Sequence, residues 1–568
     1  MRFLPAILLA AVSAFSLPPT KVFKINEPDA SIIPAMRSEL NRSMDSLRLR
    51  GQSGPYFLSY LYWDIQGYRV EASQGSIEKA ASDRLHATDV DLRVGSYEHD
   101  QSLYEGGIVF GPRLRAPLPD DNDTLLLRQT LWAQTDARYK VAVEQLAQKK
   151  SFLSSHHGMD ALPDWSRQKV LQQQDVDSIV PPDTAAWISL CRNLSDVLRD
   201  NPWLAESRVA YQYYYVTLYY VDSEGSSHIQ TLQENALLAA VLCQAKDGTP
   251  LWDYLRLAAR DTLPGGGKTG ATSFKSLKDS LEGLMERLDR LRISPPVKFY
   301  RGPVLFAGTA AGEVMQHALI HPQMRLRQPL SENSEQPFLL SLQGRKYFPD
   351  NFTVRDTPGL RRLGDKLLFG GYRFDHQGQP AEDVTLIDKG RIADFYRGKL
   401  PVESGVTRDN GHWRFGGGFP GVVQVQTTGG VPEQTLMDSL QARAKDEGSP
   451  FGLRVSKFFD DDAYKLLRHP LAQSIPFGGY ASARGSFSLP APVTLDAVDA
   501  KTGEQTPMRG LSFNSLDSKS LRDIVATGDS ARLFEPEASF SLICPSLLFS
   551  LLDLGGSPQA QPRLPLLP

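Results

Sequence analysis

The apolar positions of this chain follow two rhythms, and the rhythm changes several times. Between residues 32 and 50, Met36, Leu40, Met44 and Leu47 recur every three or four positions, with Arg37, Glu39, Arg42 and Asp45 on the other faces, which predicts a helix. The period then shortens to two. Residues 56–63 are dense in strand formers, and 68–71 and 87–95 continue in kind, with Asp89, Asp91 and Arg93 alternating with Val90, Leu92 and Val94. A long helix is predicted over about 122–154, capped by Asn122, with Leu127, Leu131, Ala142 and Leu146 on one side. Arg138 interrupts that stripe, so the helix is expected to be partly buried, and Lys149-Lys150 suit its C-terminal end.

Residues 209–221 carry six tyrosines and read as a strand that turns at Asp222-Ser223-Glu224-Gly225 into a partner near 228–232. Aromatics this dense can stack nucleic-acid bases, but no basic residues interleave them, so a sheet core is the simpler reading. Leu255, Leu257 and Ala258 suggest a helical pattern. Leu277, Leu281, Leu284, Leu288 and Leu291 form one stripe of a helix over 273–292, ended by Pro295-Pro296. Between them, Leu263-Pro264-Gly265-Gly266-Gly267-Lys268-Thr269 is not a phosphate loop, because Thr262 stands where the first Gly is required; it reads as a linker.

From Val297 onward strands dominate: 299–306, 367–374, 384–387 and 392–396 around Asp388-Lys389-Gly390, then 422–427, 452–458 and 487–495. Short helices are predicted at 434–445 and 518–526. The whole predicts an α+β protein. Its N-terminal α/β lobe packs helices on a sheet, and its C-terminal lobe is β-rich and barrel-like. Boundaries are placed as a signal peptide at 1–16, an N-terminal domain at 17–112, a central region at 113–295, a β-rich domain at 296–555 and a Pro-rich tail at 556–568. Several domains are expected of a chain of 568 residues.

Charge and composition narrow the function. A formal charge of −3 gives no electrostatic reason to bind nucleic acid. Arg2, the apolar stretch 3–15 and Ala14-Phe15-Ser16 fit a secretory signal peptide, a buried N-terminal helix being the alternative. The expectation is a protein exported to a bacterial periplasm, without stable membrane insertion. Cys191, Cys243 and Cys544 are too few for a disulfide scaffold; a Cys191–Cys243 bridge and three buried thiols both remain open.

The ordered fragments Pro55-Tyr56-Phe57-Leu58-Ser59-Tyr60, Ala72-Ser73-Gln74-Gly75-Ser76, Asp91-Leu92-Arg93-Val94-Gly95-Ser96-Tyr97 and Pro117-Leu118-Pro119-Asp120-Asp121 carry a resemblance. It continues through Leu131-Trp132, Gly302-Pro303-Val304-Leu305-Phe306 and Leu521-Arg522-Asp523-Ile524-Val525-Ala526. Together they resemble the TldD/PmbA (TldE) family of zinc metalloproteases, also called modulators of DNA gyrase. The resemblance implies a helix motif His-Glu-x-x-x-His, a later Cys, and zinc with the Glu as general base in catalytic members; sister members lack the motif and pair with a catalytic subunit.

Anchored on Val304-Leu305-Phe306, the motif falls on Gln316, His317 and His321, of which only His321 matches. A second register matches Glu313 and His317 but places Gly312 at the first His. The segment before Cys544-Pro545-Ser546-Leu547-Leu548 has no Cys. Glu313, His317 and His321, four apart, offer a weak alternative metal set on one helix face. Against it, Pro322 is expected to end the helix at His321, leaving Glu313–His317 as an ordinary helix pair. His412, in Asp409-Asn410-Gly411-His412, resembles a segment lining the family's central cleft and is a candidate peptide contact.

The first expectation is a non-catalytic TldE-like subunit that holds no cofactor of its own. A TldD-like catalytic subunit would carry the zinc, and the two would enclose unfolded peptide; a homodimer is also compatible. The alternatives are a self-associating peptide-binding or scaffold protein and a divergent active zinc metalloprotease.

Overall fold

The computed structural model describes residues 23, 25–104, 116–118, 123–156, 162–167, 169–261, 263, 274–323, 337–401, 409–478, 484–536 and 538–557. The predicted signal peptide, the Gly-rich linker after Leu263, Asn122 and the tail beyond Ser557 lie outside these residues.

Seven strands build the first sheet: β1 (Pro55–Ser73), β2 (Ser76–Val94), β3 (Ala116–Leu118), β4 (Gln172–Asp175), β5 (Leu204–Asp222), β6 (Ser227–Gln244) and β7 (Pro250–Ala259). Their order is β3-β2-β1-β5-β6-β4, with β7 also on β6. Strands from both sides of residue 112 thus run side by side, β1 antiparallel to β5 from Ser59↔Asp222 to Ala72↔Val209.

The tyrosine run of β5 is buried on both faces. Tyr211, Tyr213 and Tyr215 point into a core with Trp187, Leu190, Leu277 and Leu281, residues of helices α3 (Thr184–Val197) and α4 (Phe274–Ile293). Trp187 stacks on Tyr211 with centroids 3.9 Å apart. Tyr214, Val216 and Leu218 point the other way, into the core of the C-terminal lobe. Helices α1 (Ile32–Ser46) and α2 (Thr124–Ser155) cover the rest of the first face, through Met36, Leu40, Leu127 and Leu131. A sheet covered on both sides has no need of polar alternation, which is why β5 reads as an almost continuous apolar strand.

Several expectations are corrected. The residues Leu255, Leu257 and Ala258 belong to β7, because pairing with β6 outweighs a short helical spacing. Asp123 caps α2, its Oδ1 accepting from the backbone of Leu125 and Leu126. Lys149 does not serve the helix dipole; it is buried and ion-paired to Asp164.

The C-terminal lobe is an open sheet of eleven strands, not a barrel. They are β8 (Phe299–Phe306), β9 (Phe352–Asp356), β10 (Val384–Asp388), β11 (Arg391–Ile392), β12 (Val422–Thr427), β13 (Phe451–Phe458), β14 (Pro492–Asp499), β15 (Gln505–Met508), β16 (Leu511–Phe513), β17 (Ile524–Phe534) and β18 (Ser541–Gly556). The path runs β11-β10-β9-β12-β18-β8-β13-β14-β15, with β16 and β17 also on β18, so its two ends never meet. Lys389 and Gly390, with φ of 45° and 74°, make the two-residue turn between β10 and β11.

Residues 487–495 are not one strand: Ser486–Phe487 pairs elsewhere and β14 starts at Pro492. The predicted helix at 518–526 is a 3-10 turn, Ser518–Asp523, that passes into β17. Of the predicted strand 367–374 only Leu367 lies in a strand, the two-residue Lys366–Leu367, and the chain then turns. Cys191, Cys243 and Cys544 are free and buried; burial raises the Cys191 and Cys243 thiols to about 12. No helix among the described residues is long and apolar enough to cross a membrane.

Candidate functional site

The segment after β8 turns at Gly308, whose φ of 61° suits a glycine, and enters helix α5 (Thr309–Met315). Ala310, Ala311, Gly312, Glu313, Val314 and Met315 are all buried, as expected of a helix wedged between layers. Gln316–Ile320 then form a turn of π-helix, and the His321 N–H bonds back to the Gln316 carbonyl five residues earlier. Pro322 does not end the helix before it: His321 keeps helical dihedrals (φ −58°, ψ −41°) and the turn His321–Gln323 follows.

The π turn decides which side chains meet. In a regular α-helix, positions five apart point about 140° away from each other. An i→i+5 turn brings them together, and such turns are frequent at functional sites. Here Gln316 and His321 touch: the Gln316 Nε2 and His321 Nε2 are 2.9 Å apart. The π turn thus places the two positions of the first register, 316 and 321, side by side. The second register, by contrast, is closed by packing. A Cβ on Gly312 would lie 2.6 Å from Cβ, Cγ and Cδ1 of Phe534.

Four polar side chains stand here in contact, with the Gln316 Oε1 buried and without a hydrogen-bond partner. His317 Nε2 lies 3.3 Å from Glu313 Oε1. His317 and His321 meet edge to face, centroids 4.6 Å apart. Zinc of the metalloprotease type needs three protein ligands and a carboxylate beside the bound water. On the first register the amide of Gln316, which engages the His321 imidazole, would stand at one ligand position, and His317 at the place of the base. Cys544 is buried in β18, its Sγ 3.3 Å from the Pro545 carbonyl. Among the described residues no three His, Cys, Asp or Glu side chains converge as a metal site, the set Glu313, His317 and His321 included.

His412 is fully buried, so it lines no open cleft. Its Nδ1 lies 2.9 Å from the Asn410 carbonyl, its Nε2 3.6 Å from Asp356, and its ring stacks on Tyr396. It belongs to a polar centre between the lobes that the sequence reading missed. Asp375 accepts backbone N–H bonds from Gln377, Gln379 and Trp413. Burial nonetheless raises its carboxyl to about 6. Burial and the charge of Asp375 hold Asp409 well above the usual carboxylate range. Lys399, buried, reaches Glu224 at 2.7 Å and Asp222 at 3.3 Å; against the cost of burial, these two carboxylates keep its ammonium charged. Burial pushes His228, between Tyr220 and Phe374, down to about 3. The signal for this centre was present in Asp375-His376-Gln377-Gly378 and Asp409-Asn410-Gly411, two short Asx-turn sequences.

Residues 300–441 match the family of PmbA/TldA metallopeptidase C-terminal domains. Over these residues the chain is similar to the TldD/PmbA family. The fold is shared with solved structures. A proposed modulator of a DNA gyrase from Thermotoga maritima MSB8 aligns over 91% of this chain and 100% of that one, with TM-score 0.58 and 13% identity. TldE from Thermococcus kodakarensis aligns over 92% of this chain and 100% of that one, with TM-score 0.55 and 12% identity. A separate sequence similarity of 25% identity over 155 residues covers 25% of the chain and 78% of elongation factor Ts from Coprothermobacter proteolyticus.

Proposed function

We propose that this chain is the non-catalytic, TldE-like subunit of a peptide-processing pair. A TldD-like partner would supply the zinc and the general base, and the two would enclose unfolded peptide. The reading rests on one observation: on the helix where catalytic members of the family are expected to carry their metal motif, Gln316 engages His321 and Glu313 engages His317. Side chains spent on each other are poor metal ligands, and no glutamate stands at position 317. An unpaired strand end such as β15, whose Gln505 and Thr506 are exposed, suits peptide capture by strand addition. Export with removal of residues 1–16 belongs to the same proposal, and N-terminal sequencing of the mature protein checks it.

Affinity purification of the tagged chain, expressed beside a TldD-like protein, tests the pairing. The expected result is a complex that cleaves unfolded peptide and loses activity to a chelator, while the chain alone is inert. Purification as a self-associated species that never takes up the partner favours the scaffold reading. Chelator-sensitive peptidase activity in the chain alone, with zinc lost on His317→Ala or His321→Ala, overturns the proposal.

A further inference from the structure

A cavity of about 50 Å³ lies between the two lobes, walled by Trp63, Gln230 and Thr231 from the first sheet and by Arg260, Arg414 and Phe415. One water needs about 10–15 Å³ by this measure, so the space holds about four waters or one carboxylate group.

The two guanidinium groups differ in their partners. Arg260 holds Asp177 through Nε and Nη2 and donates through Nη1 to the Leu368 and Gly371 carbonyls. Arg414 is 6% exposed. Its Nη1 donates to the carbonyls of Pro420 and Ser539. Among the described residues no carboxylate pairs with it. It sits over the rings of Tyr372, Phe415 and Phe419 at 4.4–5.6 Å. Burial, with the charge of Arg260, lowers it to about 10 against the opposing pull of Tyr372, Asp356 and Asp375. A buried guanidinium is costly unless an anion meets it.

Three further observations concern residues that line the same space. The indole N–H of Trp63 is buried and has no hydrogen-bond acceptor. Asp175, the carboxylate that also borders the cavity, is already committed to Arg361 at 2.7 Å and Arg373 at 3.5 Å. Phe415 holds φ at 52°, a left-handed conformation that bulky side chains avoid. Its ring lies 6.4 Å from that of Trp63, nearly parallel. Backbone strain of this kind concentrates at ligand clamps. The cavity thus offers a cation and a spare donor, between two aromatic walls.

We propose that this cavity is a carboxylate subsite, in which Arg414 neutralises the anion and Trp63 donates a second hydrogen bond. Peptide C-termini and small free acids share that chemistry. The subsite stands on Arg414 and its surroundings; only the choice of a peptide terminus as the source rests on the peptide-processing reading.

Calorimetric titration of the full chain with acetate, N-acetylglycine and N-acetylglycinamide tests it. The two acids are expected to bind, and the amide at least tenfold more weakly than its acid. Arg414→Gln is expected to lower acid affinity at least tenfold and leave the amide unchanged; Arg414→Lys, with charge but no fork, falls between. If Arg414→Gln does not fold, Trp63→Phe serves, with a several-fold loss for the acids alone. N-acetylglycine tighter than acetate assigns a peptide terminus; equal affinities assign a small free acid. Equal binding of acid and amide, or no acid binding at millimolar concentration, overturns the subsite and leaves the pairing with a catalytic subunit untouched.

Discussion

Gly312→Ala is the sharpest test of how helix α5 is seated. A glycine inside a helix costs about 1 kcal/mol relative to alanine, so propensity alone predicts stabilisation of that size. Packing predicts the opposite. The new Cβ would lie 2.6 Å from three carbons of Phe534, where contact between carbons is optimal at about 3.5–4.0 Å. One of those carbons is the Phe534 Cβ, fixed to a strand whose backbone is paired to Leu542. A rotamer change cannot move it. Helix or strand must retreat by roughly 1 Å, and overpacking of this kind costs about 1–3 kcal/mol. The net expectation is a loss of up to about 2 kcal/mol, taking both terms together. Urea unfolding followed by circular dichroism measures it. A double-mutant cycle with Phe534→Gly isolates the contact, with an expected coupling of about 1 kcal/mol or more. A more stable Gly312→Ala protein, or an additive cycle, refutes the packing argument. The same geometry bears on function: Gly312→His restores the letters His-Glu-x-x-x-His at 312–317, yet there is no room for the ring, so that variant is expected to lose stability and to gain no zinc.

Three further outcomes follow from buried charge and backbone conformation. Asp375 and Asp409 have folded-state pKa values above their unfolded ones. Their stabilisation is therefore complete below about pH 4 and is lost as pH rises through about 6 and beyond. Asp409→Asn mimics the protonated acid, so the difference in urea midpoint between wild type and variant should move in the variant's favour from pH 5 to pH 8; a constant difference counts against a proton on Asp409. Lys149→Met leaves Asp164 buried without its cation and should cost about 3–5 kcal/mol in the same assay, with Lys149→Met/Asp164→Asn recovering part of it. Lys389→Asn, at φ 45° before Gly390, should stabilise the β10–β11 turn by about 0.5–1 kcal/mol, since asparagine tolerates this conformation better than lysine; an unchanged midpoint argues that lysine there is unstrained.

Elements with one strong rhythm and a local stop signal were legible. The leucine stripe of α4, ended by Pro295-Pro296, falls within one or two residues of its predicted span, and residues 422–427 form β12 as read. The turn at Lys389-Gly390 was legible because its chemistry is contained in adjacent residues. What failed depended on residues far apart in sequence. The β7 strand is extended because β6 lies beside it, and its own spacing carries no sign of that. A closed barrel and an open eleven-stranded sheet place the same strands in sequence; they differ only in whether β11 and β15 meet. His412 looked like a loop residue beside a glycine, and its burial comes from Tyr396 and Asp356.

The site was half legible for a related reason. Residues four apart were read as one face, which holds for an α-helix. The motif spacing of five does not fit that face, and this mismatch was itself the signal for a π turn. With the turn in place, 316 and 321 become neighbours, and Glu313 pairs with His317, whose ring meets that of His321 edge to face. A π turn is less favourable than continued α-helix and persists where its surroundings hold it. Here the Tyr347 hydroxyl donates to the Ala318 carbonyl inside the turn at 2.9 Å, and Ala318, Leu319 and Ile320 are buried. The fold therefore sets positions five apart side by side, and on the first register Gln316 and His317 would occupy the positions of ligand and base. A scaffold that keeps the geometry but changes the donors is what a subunit leaving the chemistry to a partner would present.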